Sequence, residues 1–507
     1  MDCKVKQKKR TLKKRIIFFI LILFMVVLLF AAYIAKTHIG ISLKHPYDKH
    51  LKNYSTDLSQ EEMYRQDLEF IYQEIKNNYV NLEYKEKVLD INWDQQYEYY
   101  KSQIDQNTSR KDFYRICNEF ISDLKDGHTW FSEYNMTPEE RVWTPYSDGI
   151  VSAFDIRMID GTPIIVANKL NPELNGYEVV SINHISLMDI LETMIGCVYR
   201  RGNDESAKAF LLRSNDFYEY FELYSENYPE QFLIELKDSD GVSKTITLDS
   251  NVTFQNEAYS NNNINFGLQT NELPVSYIED NIGYIRIDTF DNRPKSILDT
   301  FNEAIENFKK TGVDGVVLDL RNNGGGNESF RDILGYLTKK TINIERFHYR
   351  RSERYKDIFY LRFIWDLISS SPLSAEVDEG YSKWRSWRIK PAKEQYLTSV
   401  PVVVICNESI FSSTNSFVLA CLENNLATVV GNTVPLSGFG LSTQVLLPSG
   451  NYVISYCFFE SQTHDGKPLE NIEMKPDITI SQTYEDFRIG IDTQLEAAFQ
   501  VIREKRE

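Results

Sequence analysis

Three segments of this 507-residue chain combine residue types that are suited to acyl-transfer chemistry. Asp126-Gly-His128 places a histidine just beyond a helical pattern, and a neutral imidazole can accept a proton near pH 7. The segment 409–416 supplies four serines at the start of another helical pattern, and an activated serine hydroxyl is a nucleophile. The segment 318–326 ends in three successive glycines, whose N–H groups can converge on an anion.

Each of these segments also has a purely structural interpretation. A histidine beyond a helix end is often structural, a serine at a helix start is often an N-cap, and three glycines form a flexible turn. The spacing alone does not choose among Ser409, Ser412, Ser413 and Ser416. The sequence has no His-Glu-x-x-His helix or carboxylate cluster, so we predict neither a metal nor a cofactor.

Alternating strands and helices predict an α/β core over residues 275–503. Two of its apolar strands, at 315–320 and 400–405, end just before the glycine loop and the serine segment. Open α/β sheets carry their sites at such strand ends. The core is interrupted at 346–393 by an insertion with eleven Lys or Arg against six Asp or Glu. This insertion could be a lid that binds a peptide carboxylate or an anionic surface. Alternatively, it could be two solvent-exposed helices without a binding role.

Two further units precede the core. Residues 58–126 show helical periods, opened by a capping box at Ser59 and Glu62, and predict a bundle of three helices. Residues 145–255 contain short strand-like runs and predict a β-rich module. Within that module the segment 176–183, followed by a helical pattern at 187–194, resembles the Gly-Asp-x-Ile-x-x-Ile-Asn-Gly segment of PDZ domains.

The N-terminus predicts a single-pass membrane protein. Residues 1–15 hold eight Lys or Arg and one Asp, and residues 16–35 carry no charge over a length that spans a bilayer core. Because positive flanks stay in the cytoplasm, we expect a cytoplasmic tail, an anchor at 16–35, a stalk at 36–57 and an extracellular body at the cell membrane. The net charge is −17 despite the basic tail, so nucleic acid is a poor partner for this body.

The six cysteines form no Cys-x-x-Cys pair and no dense framework. A disulfide framework and a cysteine zinc site are therefore both unexpected. Cys406, Cys421 and Cys457 fall in apolar stretches, where a buried free thiol is the common state.

The ordered set of segments resembles a family of serine peptidases that includes the C-terminal processing (tail-specific) proteases and the tricorn protease core. The resemblance covers residues 60–485 and joins the three segments above to stretches at 283–290, 426–431, 464–470 and 475–477. It implies an α+β multidomain fold with a helical bundle, a PDZ-like module and an α/β core of the crotonase-like type.

The resemblance also implies roles for particular residues. The nucleophile falls on Ser412, and the oxyanion hole on the N–H of Ser413 with Gly324 or Gly325 of the glycine loop. The processing proteases use a lysine about 25 residues after the serine, but the segment 433–444 contains none.

The tricorn-like branch instead uses a histidine and a glutamate, which map to His128 and Glu470. The chain departs from that branch in having Ser413 where an acidic residue follows the nucleophile, and Gly127 where a serine precedes the histidine.

These observations predict a membrane-anchored extracellular serine endopeptidase that cuts protein or peptide substrates, with recognition of a C-terminal tail. The alternative is a catalytically inactive surface protein that binds peptides through the PDZ-like module and the groove. The substrate and the oligomeric state are left open by the sequence.

Overall fold

The structure is a computed structural model with a mixed α+β, multidomain fold. It describes residues 23–27, 50–51, 54–55, 57–134, 153–196, 203–214, 217–225, 228–250, 259–260, 275–291, 296–352, 354, 380–440 and 442–506.

Twelve α-helices and twenty-one strands have both ends within the described residues. The helices are α1 (Gln60–Asn78), α2 (Leu82–Leu89), α3 (Trp93–Ser102), α4 (Arg110–Ser122), α5 (Leu187–Met194), α6 (Asp204–Ser214), α7 (Phe217–Tyr224), α8 (Ile297–Thr311), α9 (Ser329–Tyr336), α10 (Ser413–Asn424), α11 (Tyr484–Arg488) and α12 (Thr493–Arg506). The strands are β1 (Trp130–Glu133), β2 (Phe154–Ile159), β3 (Thr162–Asn168), β4 (Glu178–Ile182), β5 (Ile185–Ser186), β6 (Gln231–Lys237), β7 (Ser243–Asp249), β8 (Tyr259–Ser260), β9 (Val275–Glu279), β10 (Ile282–Arg286), β11 (Gly315–Asp319), β12 (Ile342–Tyr349), β13 (Arg385–Ile389), β14 (Val402–Cys406), β15 (Thr428–Gly431), β16 (Val434–Leu436), β17 (Ser442–Leu446), β18 (Tyr452–Cys457), β19 (Phe459–Gln462), β20 (Ile472–Met474) and β21 (Ile478–Thr479).

The α/β core is built on a six-stranded sheet in the order β21-β15-β14-β11-β10-β9. The strands from β21 to β10 run parallel, and β9 pairs antiparallel with β10. Every residue of β10, β11 and β14 is buried, as expected for parallel strands that are covered on both faces. Helix α12 covers one face, while α8, α9 and α10 pack against the other.

The carboxyl ends of β11 and β14 lie side by side in this sheet, with Asp319 opposite Ile405. The chain leaves β11 into the glycine loop and leaves β14 into the serine segment. The two predicted segments therefore meet at one edge of the sheet, as their strand-end positions indicated.

The bundle region contains four helices where the sequence predicted three. The capping boxes at Ser59 and Ser109 are present and begin α1 and α4. The additional helix, α2, has eight residues and buries only Leu82 and Lys85, so it shows no apolar period.

The bundle and the β-rich module share one hydrophobic cluster with β17 and β18 of the C-terminal half. Strand β1 pairs antiparallel with β18, which brings the chain just after His128 onto a strand of the C-terminal half. The β-rich module is an antiparallel sheet in the order β2-β3-β4-β6-β7, with β5 and β8 pairing beside it. Within the module, strand β4 lies inside the PDZ-like segment 176–183, and helix α5 has the predicted bounds.

The insertion begins and ends with strands in the part of it that the structure describes. Strand β12 enters it and β13 leaves it, and the two pair antiparallel beside β19. Its basic and aromatic side chains stack on one another or on the core: Arg346 lies over Trp384, and the guanidinium of Arg331 from α9 lies 3.7 Å from the centre of Trp387. The middle of the insertion, residues 355–379, lies outside the described residues.

Of the predicted anchor at 16–35, the structure describes only residues 23–27, which are helical. Among the helices that the structure describes, none is both long and apolar enough to cross a membrane. The four cysteines within the described ranges, Cys117, Cys406, Cys421 and Cys457, are free and buried, which confirms the expectation for the last three.

Candidate active site

Ser412 lies between β14 and α10 and is the N-cap residue of that helix. Its backbone has φ 55° and ψ −123°, a conformation that is unfavourable for a residue with a Cβ and that the surrounding contacts must hold. In this conformation its Oγ lies 3.2 Å from Nε2 of His128. The structure thus brings the predicted nucleophile and the predicted base into hydrogen-bond distance.

The other serines of the segment have different contacts. The Ser413 hydroxyl donates to the Gly326 carbonyl at 3.4 Å, and the backbone N–H of Ser416 donates to the Ser412 carbonyl. The side chain of Ser409 is buried. Among the contacts described for these serines, that of Ser412 is with His128, and its assignment as the nucleophile stays a prediction.

His128 is held by contacts on its backbone, on its ring face and on its second ring nitrogen. Its backbone N–H donates to Asp126 Oδ1 at 2.8 Å, and its ring stacks on Phe411 with the centroids 4.5 Å apart. Nδ1 is hydrogen-bonded to the carbonyl of Gly438. Because a carbonyl can only accept, Nδ1 carries the proton, and Nε2 presents its lone pair to the Ser412 hydroxyl.

Asp126 links this histidine to the helical bundle. Its second carboxylate oxygen accepts a 2.6 Å hydrogen bond from the hydroxyl of Tyr79, which follows α1. A carboxylate oxygen of Asp126 lies within 4.8 Å of a ring nitrogen of His128. This negative charge can stabilise the imidazolium that forms when His128 takes a proton.

Glu470 is fully buried close to the site, and its carboxylate is hydrogen-bonded to backbone N–H groups beside His128. Its two oxygens accept from the N–H groups of Gly438 and Phe439, both at 3.0 Å. Its Oε2 also lies 2.7 Å from Nζ of Lys85. Burial raises the pKa of the Glu470 carboxyl, and the Lys85 ammonium opposes that shift. The predicted role of Glu470 in orienting the histidine stays a prediction, and in this geometry it would act through Gly438.

The glycine loop packs directly against the nucleophile. A Cβ on Gly325, which has φ +100°, would lie 2.7 Å from the Cβ of Ser412 and 3.1 Å from the N of Ser413. Only glycine permits this approach, because both the left-handed backbone and the short contact exclude a side chain.

The two glycines that were predicted as oxyanion donors differ in this structure. The N–H of Gly325 already donates to Asn323 Oδ1 at 2.8 Å, which counts against it as a donor to substrate. The N–H groups of Gly324 and of Ser413, which begins α10, therefore stay the predicted donors. A helix N-terminus of this kind also favours negative charge.

Asn323 was not singled out from the sequence, although it lies in the glycine segment. Its buried side chain donates to the Ile287 carbonyl and accepts from Gly325 and from the Thr414 hydroxyl, while its own carbonyl accepts from Phe411. It therefore ties the glycine loop to both sides of Ser412. An asparagine directly before three glycines was the available signal.

Asp319 and Arg321 hold the base of the same loop. Arg321 is buried between Asp319 and Asp492, with Nη2–oxygen distances of 2.6 and 2.8 Å, and Tyr284 donates to Asp319 at 2.8 Å. Burial would raise the pKa of Asp319, but the charge and hydrogen bonds of Arg321 outweigh it and lower the pKa below its ordinary value.

A possible metal-ligand set within the described residues consists of Asp126, His128 and Cys457, and its chemistry fits a metal poorly. Asp126 already accepts from Tyr79 and His128, and His128 is bonded through both ring nitrogens. Burial raises the pKa of the Cys457 thiol well above its ordinary value, which disfavours the thiolate that a metal requires.

Comparisons with known proteins indicate the fold and the activity class. Residues 281–480 match the family model of peptidase family S41. No curated protein matches the sequence. Among solved structures, mature CPAF is similar with a TM-score of 0.65 and 17% identity over 87% of this chain and 96% of that chain. CPAF complexed with lactacystin gives the same score and identity, with 98% of that chain covered.

The photosystem II D1 C-terminal processing protease is also similar, with a TM-score of 0.44 and 16% identity over 88% of this chain and 98% of that chain. At 17% identity the two CPAF structures establish the fold, and the family match supplies the activity class. The predicted resemblance to this group of peptidases is thereby confirmed: residues 281–480 match peptidase family S41, and the protein is a serine peptidase.

Proposed function

We propose that this serine peptidase is a membrane-anchored extracellular endopeptidase that uses Ser412, His128 and Glu470. The observation that supports this most directly is the 3.2 Å contact between Ser412 Oγ and His128 Nε2, with the opposite ring nitrogen bonded to a carbonyl. This is the arrangement that lets an imidazole act as general base toward a serine.

The reaction follows from these positions. Ser412 Oγ attacks the scissile carbonyl of a peptide while His128 Nε2 takes the hydroxyl proton. The developing oxyanion is stabilised by the N–H groups of Ser413 and Gly324. His128 then returns the proton to the leaving amine, and a water molecule, deprotonated by the same histidine, hydrolyses the acyl-enzyme.

A fluorophosphonate probe tests the nucleophile. We expect the probe to label the wild-type protein and the Ser413→Ala variant, because alanine retains the backbone N–H, and to leave Ser412→Ala unlabelled. Labelling that persists in Ser412→Ala and disappears in Ser413→Ala would move the nucleophile by one residue. Absence of labelling in folded wild-type protein would favour the peptide-binding alternative.

The membrane anchor is supported by the uncharged run at 16–35 and the basic residues before it. Protease added to intact host cells should digest the body and leave only the first thirty or so residues protected. A mature protein that begins near residue 36 and accumulates in the medium would contradict the anchor.

Tail recognition is supported by the PDZ-like pattern in the β-rich module, in which strand β4 is followed by helix α5. Domains of that kind bind a peptide C-terminus at a sheet edge, with its carboxylate in a nest of N–H groups. A good peptide substrate should lose binding or turnover when its C-terminus is amidated. Equal turnover of the acid and the amide would remove this part of the proposal.

A further inference from the structure

Lys85 is a fully buried lysine outside the family-matched segment, and none of the motifs above includes it. It lies on α2 of the helical bundle, and its side chain is 0% exposed. Its ammonium lies 2.7 Å from Glu470 Oε2 and 2.7 Å from Asn471 Oδ1, with the Lys125 carbonyl at 3.5 Å. A buried ammonium is strongly unfavourable unless it is paired and hydrogen-bonded, and this one is paired with a residue of the candidate site.

A continuous chain of contacts leads from this lysine to the nucleophile. Glu470 accepts the Lys85 ammonium and also two backbone N–H groups, those of Gly438 and Phe439. The Gly438 carbonyl is in turn bonded to Nδ1 of His128, whose Nε2 faces Ser412. The orientation of the imidazole therefore depends on the position of one peptide unit, and that unit is held by the Glu470 carboxylate.

We propose that Lys85 is a positioning residue of the peptidase site. Its ammonium keeps Glu470 in the carboxylate form that accepts from both N–H groups, and this fixes the Gly438 carbonyl and hence the tautomer and orientation of His128. The inference rests on the proposed role of His128 as general base, and it adds a charged partner from a different part of the chain.

The surroundings of Glu470 explain why the lysine is needed. The titratable groups that face it besides Lys85 are Asp126, Tyr79, Tyr84 and Cys457. Burial and the negative charge of Asp126 both raise the pKa of Glu470, and Lys85 is the cation that lowers it. Without Lys85 the pKa of the Glu470 carboxyl would rise further, and a neutral carboxyl accepts poorly on its hydroxyl oxygen, so protonation would cost one of the two N–H bonds.

The test is the pH dependence of turnover in Lys85→Met, measured on the full chain. We expect kcat at pH 7 to fall about 10²-fold, the usual cost of misplacing a catalytic group by about 1 Å, with little change in KM. We also expect part of the loss to be recovered as the pH rises and Glu470 ionises. The matched control is Lys76→Met, which removes a lysine of the same bundle that pairs with Asp94 at the surface, and it should leave the profile unchanged.

A second variant separates positioning from folding. Lys85→Met/Glu470→Gln removes both charges and therefore leaves no unpaired buried charge. It should fold even if Lys85→Met alone does not. It should be no less active than Glu470→Gln alone, and it should show no recovery at high pH. Wild-type turnover in Lys85→Met, or an equal loss at every pH, would overturn the proposal.

The role of His128 is checked separately. If His128→Ala keeps full activity in folded protein, the proposed function fails at its general base. If His128→Ala is inactive while Lys85→Met behaves as wild type, only the inference about Lys85 fails.

Discussion

Gly438→Ala is the substitution that tests the geometry of the site most directly. Gly438 has φ +69°, and a Cβ built on it would lie 2.3 Å from Asp126 Oδ1, 2.9 Å from the His128 N and 3.0 Å from His128 Nδ1. Since ordinary contacts begin near 3.4 Å, the loop or the histidine must move by about 1 Å to admit the methyl group. All three crowded atoms belong to the base or to the carboxylate beside it.

Two costs are expected, and they can be separated. A non-glycine residue in the left-handed region costs about 1–2 kcal/mol of stability wherever it occurs. Displacement of a catalytic group by about 1 Å can cost about 10²-fold in turnover. We therefore expect Gly438→Ala to fold with reduced stability and to lose about 10²-fold in kcat.

Gly312→Ala is the matched control, because Gly312 has φ +75° at the end of α8 and a Cβ there would meet nothing within 4 Å. It should show a similar loss of stability in urea unfolding and wild-type turnover of a fluorogenic peptide. Retention of wild-type kcat in folded Gly438→Ala, or an equal loss of kcat in Gly312→Ala, would refute the reasoning.

Four further predictions concern the base, the buried carboxyls and the loop support. His128→Ala should lose about 10² to 10⁴-fold in turnover in a steady-state assay, with Ser413→Ala as the folded and active comparison. Burial raises the pKa of the Asp67 carboxyl to about 7. The protonated carboxyl therefore stabilises the fold below the pKa of the unfolded chain, near 3.8, and this contribution is lost as the pH rises to 7. In urea unfolding, the free energy of unfolding of Asp67→Asn should therefore increase relative to that of wild type by about 2 to 3 kcal/mol between pH 5 and pH 8, at 1.36 kcal/mol per pH unit. A difference that does not change with pH would refute this. Burial likewise raises the pKa of Glu345 to about 7, and the free energy of unfolding of Glu345→Gln should also increase relative to that of wild type over the same pH range. Arg321→Met would leave Asp319 and Asp492 buried without their cation, and should cost about 3 to 5 kcal/mol in the same unfolding assay, whereas a loss below 1 kcal/mol would contradict that role.

The sequence predicted the core well where burial determines residue type. The strands β10, β11 and β14 are continuous apolar runs because the sheet is covered on both faces, and such runs are visible without any other information. The capping boxes at Ser59 and Ser109 were equally visible, because they are local hydrogen bonds between residues three apart.

The contacts that position His128 were much harder to predict from the sequence, because they involve backbone groups that are distant in the chain. The carbonyl of Gly438 accepts from a residue 310 positions away, and a carbonyl has no residue type by which it could be recognised. Helix α2 was missed because its charged residues conceal any apolar period, and with it Lys85 was missed. The preference for Gly324 over Gly325 depends on the Asn323 amide, which a pattern of three equivalent glycines does not reveal.

The pairing of β1 with β18 has a consequence for dividing the enzyme into two fragments. The segment matched to the peptidase family, 281–480, contains Ser412, the glycine loop and Glu470, but His128 and Lys85 precede it in the chain. By the proposed mechanism, that segment produced by itself would hold the nucleophile Ser412 without its base, His128. In this mechanism activity depends on contact between the two halves, so two co-expressed fragments divided between residues 261 and 270 would regain it only if β1 pairs again with β18.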